Sequence, residues 1–128
     1  MSLPTLEQFE AAAIDPGNFD HEAHVYVGWR YLQRADLLDA IGRYRAGLRR
    51  LVRRVGAEDK YHETITWFYM VSIAERLDSA PAGDWDAFKR ANPELFERRP
   101  GWLERHYSPG RLASPQARRR FVLPDRAP

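Results

Sequence analysis

Residues 36–55 read DLLDAIGRYRAGLRRLVRRV, and this stretch decides the fold. Leu37, Ile41, Tyr44, Leu48, Leu51, Val52 and Val55 recur at spacings of three and four, the period of a helix with one apolar stripe. Arg43, Arg45, Arg49, Arg50, Arg53 and Arg54 occupy the remaining faces, and Gly56 supplies a C-terminal stop. A long amphipathic helix needs partners to cover its stripe. The next stretch, residues 58–77, supplies one. Ile65, Trp67, Phe68, Met70, Val71, Ile73 and Leu77 surround it almost completely, which predicts a central helix buried on most sides.

Upstream, Thr5 and Gln8 form the pattern of a capping box, so a short helix is expected before the Asp15-Pro16-Gly17-Asn18 turn cluster. Asp20 then reads as the N-cap of a helix over 21–33. At ~100° per residue, His21, Val25, Gly28 and Leu32 share one stripe, with His24 and Trp29 on its shoulders and Tyr26, Arg30 and Arg34 opposite. This places His21 at the centre of the buried face. Gly28 is expected to admit a close neighbour. Downstream, Asp84, Asn92-Pro93 and Ser114-Pro115 mark short helices, with another turn over 102–107. Residues 121–125 are expected to be extended, because Pro124 restricts its predecessor. The expected fold is all-α in a single domain, 1–128. Three main helices form a bundle over about 20–77, and short helices with an extended tail wrap it over 84–128.

Composition narrows the chemistry. The chain has 128 residues and no cysteine, so disulfides, iron–sulfur clusters, thiolate zinc sites and cysteine nucleophiles are excluded. No apolar run approaches the ~20 residues of a membrane span, and no basic-then-apolar leader pattern opens the chain. The expectation is a soluble, cytoplasmic protein with no membrane partner. Net charge is only +2, and the basic residues are 18 arginines and 2 lysines. No nucleic-acid partner is expected on this basis, since Asp36, Asp39, Glu58 and Asp59 flank the arginine-rich helix and its aromatics belong to the apolar stripe. That arginine face reads as a solvated surface, as does Arg118-Arg119-Arg120, although Arg118 is placed to reach back to a bundle carboxylate.

Function is sought in two short words, Phe19-Asp20-His21-Glu22-Ala23-His24-Val25 and Tyr61-His62-Glu63-Thr64-Ile65-Thr66. A histidine on an inward helix face needs a polar partner, a metal or a ligand. His21 and His24 lie about 60° apart on one helix, and His62 shares a face with Thr66, Tyr69 and Ile73. Their convergence would line a pocket with His21, His24, His62, Glu63 and Thr66. As a metal site, His21, His24 and His62 would suit Zn²⁺ with a water, and two histidines with Glu63 would suit Fe²⁺. Without metal, a histidine beside Glu22 or Glu63 could move a proton for a small-molecule ligand. No phosphate loop, dinucleotide fingerprint or nucleophile elbow is present. His106 carries no motif and is expected at the surface. The competing reading is a structural or protein-interaction module. Its histidines would be satisfied core residues, its arginine-rich helix would contact a partner, and an apolar side of the short helices would allow a homodimer.

The two words, together with Trp29-x-Tyr31-Leu32 between them, resemble a group of short bacterial helical proteins without an assigned activity. The ending Tyr107-Ser108-x-x-x-Leu112-x-Ser114-x-x-Ala117-Arg118-x-x-Phe121-Val122-x-Pro124-Asp125 is similar to that group's C-terminal pattern. The resemblance implies a compact helical fold in which His21, His24, His62, Glu63 and Thr66 are shared polar positions. It implies no reaction.

Overall fold

A computed structural model describes residues 3–126. Among them there are seven α-helices and no strand. The α-helices are α1 (Leu6–Glu10), α2 (His21–Leu32), α3 (Leu37–Arg54), α4 (Glu63–Glu75), α5 (Trp85–Ala91), α6 (Pro109–Ala113) and α7 (Pro115–Arg119), with short 3₁₀ turns between several of them. The all-α bundle expected from periodicity is present. α2, α3 and α4 pack on one another pairwise, and α1 closes the open side of α2 and α3.

Local signals account for most helix starts. Thr5 and Gln8 complete their capping box, and Asp20, Asp36, Asp84, Ser108 and Ser114 each accept the backbone N–H three residues on. Ser108-Pro109 carries the same N-cap and first-turn proline as Ser114-Pro115, and it opens α6, a helix absent from the sequence reading. The start of α4 also differs from expectation. Glu58–Lys60 is a single 3₁₀ turn, Tyr61 and His62 are extended, and the helix begins at Glu63 with His62 as its N-cap.

The main core joins Phe9, Val25, Trp29, Tyr31, Tyr44, Leu48, Met70, Ile73 and Phe88. A second cluster, Phe68, Leu103, Tyr107 and Leu112, lies where the C-terminal third packs on α4. α4 is thus covered from two sides, which explains why its sequence is apolar nearly all round. α2 is buried more widely than its stripe. Val27, Trp29 and Tyr31 are all buried, and Tyr26, expected in solvent, packs against Trp29 and meets Trp85 edge-on. No described helix is long and apolar enough to cross a membrane.

The arginine face of α3 is less free than its sequence suggests. Arg50 donates to the Glu10 carbonyl (2.5 Å) and Arg54 to that of Ala12, so two α3 arginines close the C-terminal end of α1. Arg43 pairs with Asp39, and Arg45 with Glu63.

Two glycines of α3 provide a paired test. A Cβ at Gly47 would lie 2.1 Å from the Phe9 ring, whereas one at Gly42 meets nothing within 4 Å. Gly47→Ala should cost about 1–3 kcal/mol by overpacking, and Gly42→Ala should gain about 0.5–1 kcal/mol from helix propensity. Urea midpoints moving in opposite directions are the expected result.

Candidate functional site

Four polar side chains at the start of α4 reach four different places. Glu63 is buried, with both carboxylate oxygens 2.9 Å from Arg45 Nε; it also accepts from the Tyr61 hydroxyl (2.5 Å) and the Trp67 indole (3.3 Å). The Thr64 hydroxyl is fully buried beside the carbonyls of Ala117 (2.7 Å) and Arg120 (2.9 Å), and it accepts the Val122 N–H (3.2 Å). Thr66 donates to the His62 carbonyl at 2.9 Å. The Thr64 bonds fasten the C-terminal segment to the bundle.

His62 is committed as well. Its Nδ1 accepts the Ile65 N–H (3.2 Å), and its Nε2–H donates to the Leu112 carbonyl (2.8 Å). Both ring nitrogens are used, and this requires the neutral ring carrying its proton on Nε2. Burial pushes the His62 pKa below its ordinary value, Arg118 and Arg99 push the same way, and the bond to Leu112 opposes them. The face reading that placed His62 with Thr66, Tyr69 and Ile73 therefore fails at its first member. An N-cap lies off the helix, and its side chain turns back to the first-turn N–H groups.

The other three members of that face meet α2. Thr66, Tyr69 and Ile73 line a cavity of about 270 Å³ together with His21, His24 and Val25. Tyr44 and Leu48 of α3 and Leu103 complete its apolar wall, and Arg99 is its one fully charged lining residue. His21 is not at the centre of a buried face. It sits in the first turn of α2, where neighbours cover less of the helix, and it is exposed. Its Nε2–H donates to the Leu95 carbonyl (2.7 Å), and its ring meets Tyr69 edge-on with centroids 5.0 Å apart.

His24 differs from both. Its Nδ1–H donates to the Asp20 carbonyl (2.8 Å), and its ring stacks on Phe19 at 4.0 Å. Its Nε2 is then left as a bare acceptor. Burial lowers the His24 pKa, against the Asp20 hydrogen bond that raises it, and the nearby His21 lowers it further. The Tyr69 hydroxyl is pushed up to about 12, chiefly by burial, so it stays protonated.

The expected five-residue site is thus split. The cavity brings together His21, His24 and Thr66, while His62 and Glu63 face other partners. The three-histidine ligand set is not assembled. Among the described residues no group of three or more His, Asp or Glu side chains is placed to hold a metal ion. Glu22, considered as a proton-transfer partner, pairs instead with Lys89 at 2.9 Å. His106 is half-buried rather than superficial, donating Nδ1–H to the Trp102 carbonyl and packing on Phe68. Arg118 reaches the backbone carbonyl of Asp59, not a carboxylate. Sequence reasoning named Tyr69 with Thr64 and Thr66 as residues to orient a small polar ligand, and it missed Arg99 as a cavity residue. Tyr69 was legible from its place on the Thr66 face, whereas Arg99 lies in an irregular segment with no periodic signal. Comparison with known proteins finds no matching family model, no matching curated protein and no matching solved structure.

The lowered pKa values give a signed expectation. A histidine whose pKa falls on folding contributes fully above its unfolded value of 6.5, and that contribution is lost as pH falls through the folded value. The urea midpoint should be flat between about pH 7 and 8 and decline below about 6.5. His62→Asn keeps an N-cap acceptor without the titration, and it should reduce the acid slope.

Proposed function

We propose that the cavity between α2 and α4 binds a small organic ligand with an apolar body and one hydroxyl or N–H donor. The observation that carries this reading is that His24, whose Nε2 has no protein partner among the described residues, lines a largely apolar space of about 270 Å³. Small-ligand pockets run from about 300 Å³ upward, so a single-ring molecule suits this volume. Apolar walls supply affinity, and a few fixed polar groups supply orientation. His24 accepts, while the Tyr69 hydroxyl offers a donor or acceptor on the opposite wall. The same residues, His21, His24 and Thr66, belong to the words that resemble the unassigned bacterial helical group.

His62 and His106 fit the other reading of this chain, in which histidines are structural. His62 uses both ring nitrogens on backbone groups, and His106 lines no part of this cavity and gives Nδ1–H to the Trp102 carbonyl of its own turn. The functional proposal rests on His24 and on the α4 face opposite it.

The test uses p-cresol and toluene as probes, followed by ¹H–¹⁵N correlation spectra of the full chain. Shifts should concentrate on Val25, Thr66, Tyr69 and Ile73, with p-cresol binding about tenfold more tightly, the worth of one hydrogen bond. His24→Phe should equalise the two probes, because it keeps an aromatic ring on Phe19 and removes the acceptor. Absence of localised shifts with either probe at millimolar concentration contradicts the proposal.

A further inference from the structure

A second concavity, sharing no lining residue with the histidine cavity, lies between α3 and α7. Its volume is about 340 Å³, and Arg45, Arg49, Arg53, Arg118 and Arg119 contribute to its wall. The six arginines of α3 divide into two kinds. Arg43, Arg45, Arg50 and Arg54 each have a carboxylate or a backbone carbonyl, as described above. Arg49 and Arg53, one turn apart, have neither, and α7 brings Arg118 and Arg119 to the same place. Among the described residues no ion pair involves any of these four.

Part of this wall is held in place by other contacts. Arg45 is fixed by Glu63, Arg49 lies 5.9 Å over the Tyr61 ring, and Arg118 donates to the Asp59 carbonyl at 2.6 Å. Thr64 anchors the C-terminal end of α7 through the Ala117 and Arg120 carbonyls, so the fold itself brings the two arginine groups together. Five arginines face three carboxylates, Glu58, Asp59 and Glu63, and the last is already spent on Arg45. Guanidinium groups held within a Debye length repel one another, and an anion between them relieves that repulsion.

We propose that this cleft is a binding site for a small ligand carrying adjacent phosphate groups. Guanidinium forks match phosphate oxygens two at a time, and cations on two opposing segments can span neighbouring phosphates. Glu58 and Asp59 bound the cleft and disfavour an extended polyanion, which selects a compact oligophosphate over a nucleic-acid backbone.

The experiment is calorimetric titration of the full chain with sodium tripolyphosphate, orthophosphate and a short DNA duplex, at low and at physiological salt. Tripolyphosphate should bind at least about tenfold more tightly than orthophosphate, and Arg53→Ala with Arg119→Ala should weaken it by about tenfold or more. Both positions are exposed, so the variants should fold. Arg43→Ala removes one charge from the same helix outside the cleft, and it should change binding by less than about twofold. Three results would overturn the site: no tripolyphosphate binding at millimolar concentration, equal losses in Arg43→Ala and the cleft variants, or tighter binding of duplex than of tripolyphosphate.

Discussion

The rest of the structure depends on the start of α4, where a helix N-terminus is buried against the C-terminal third of the chain. Such an end leaves backbone N–H groups without partners, and carbonyls in the covering segment need donors of their own. His62 answers both needs, accepting from Ile65 and donating to Leu112. Glu63 ties the same turn to α3 through Arg45, and Thr64 ties it to α7 and the tail. The second core cluster around Phe68, Leu103 and Tyr107 forms because these polar bonds seat the irregular segment on α4. Tyr107 and Ser108 then hold the tail through the Val122 carbonyl and Asp125.

A rule for locating function follows from this economy of polar groups. Buried polar side chains cost stability unless they are matched, so those matched within the fold are accounted for structurally. All four histidines give a ring N–H to a backbone carbonyl and look alike by that measure. They separate on the second nitrogen. In His62 it caps a helix, whereas in His24, a residue lining the cavity, it has no protein partner among the described residues. The arginines separate in the same way. Those that close α1 or pair with carboxylates are held by the scaffold, whereas Arg49, Arg53 and Arg119 gather between α3 and α7 without an ion pair or a carbonyl partner among the described residues.

Legibility in the sequence followed the range of the interaction. The three main helices, the caps at Thr5, Asp20, Asp84 and Ser114, and the burial of α4 are all carried by residues within a turn or two of one another. Gly28 was legible from its place on the apolar stripe of α2, where a Cβ would lie 2.7 Å from the Met70 sulfur. The placement of His62 was not. Apolar periodicity runs smoothly through 58–77, whereas the partners of His62 and Thr64 at the break, Leu112 and Ala117, lie some fifty residues away. His21 was misplaced because a helical wheel treats a first-turn residue as though the helix continued beyond it. The site was therefore half legible, with His21, His24 and Thr66 gathered at one cavity and His62 and Glu63 drawn elsewhere.

The central claim is that His62 and His24 hold opposite tautomers, one with both nitrogens spent on the fold and one with its Nε2 left without a protein partner among the described residues. Long-range ¹H–¹⁵N correlation spectra of the imidazole rings at neutral pH test it most directly. The account predicts His62 protonated at Nε2 with Nδ1 as acceptor, and His24 protonated at Nδ1 with Nε2 as acceptor. Both rings should remain neutral when the pH is lowered past 6.5, the ordinary value for histidine. The same tautomer at both positions, or ordinary titration of both rings near 6.5, would contradict it.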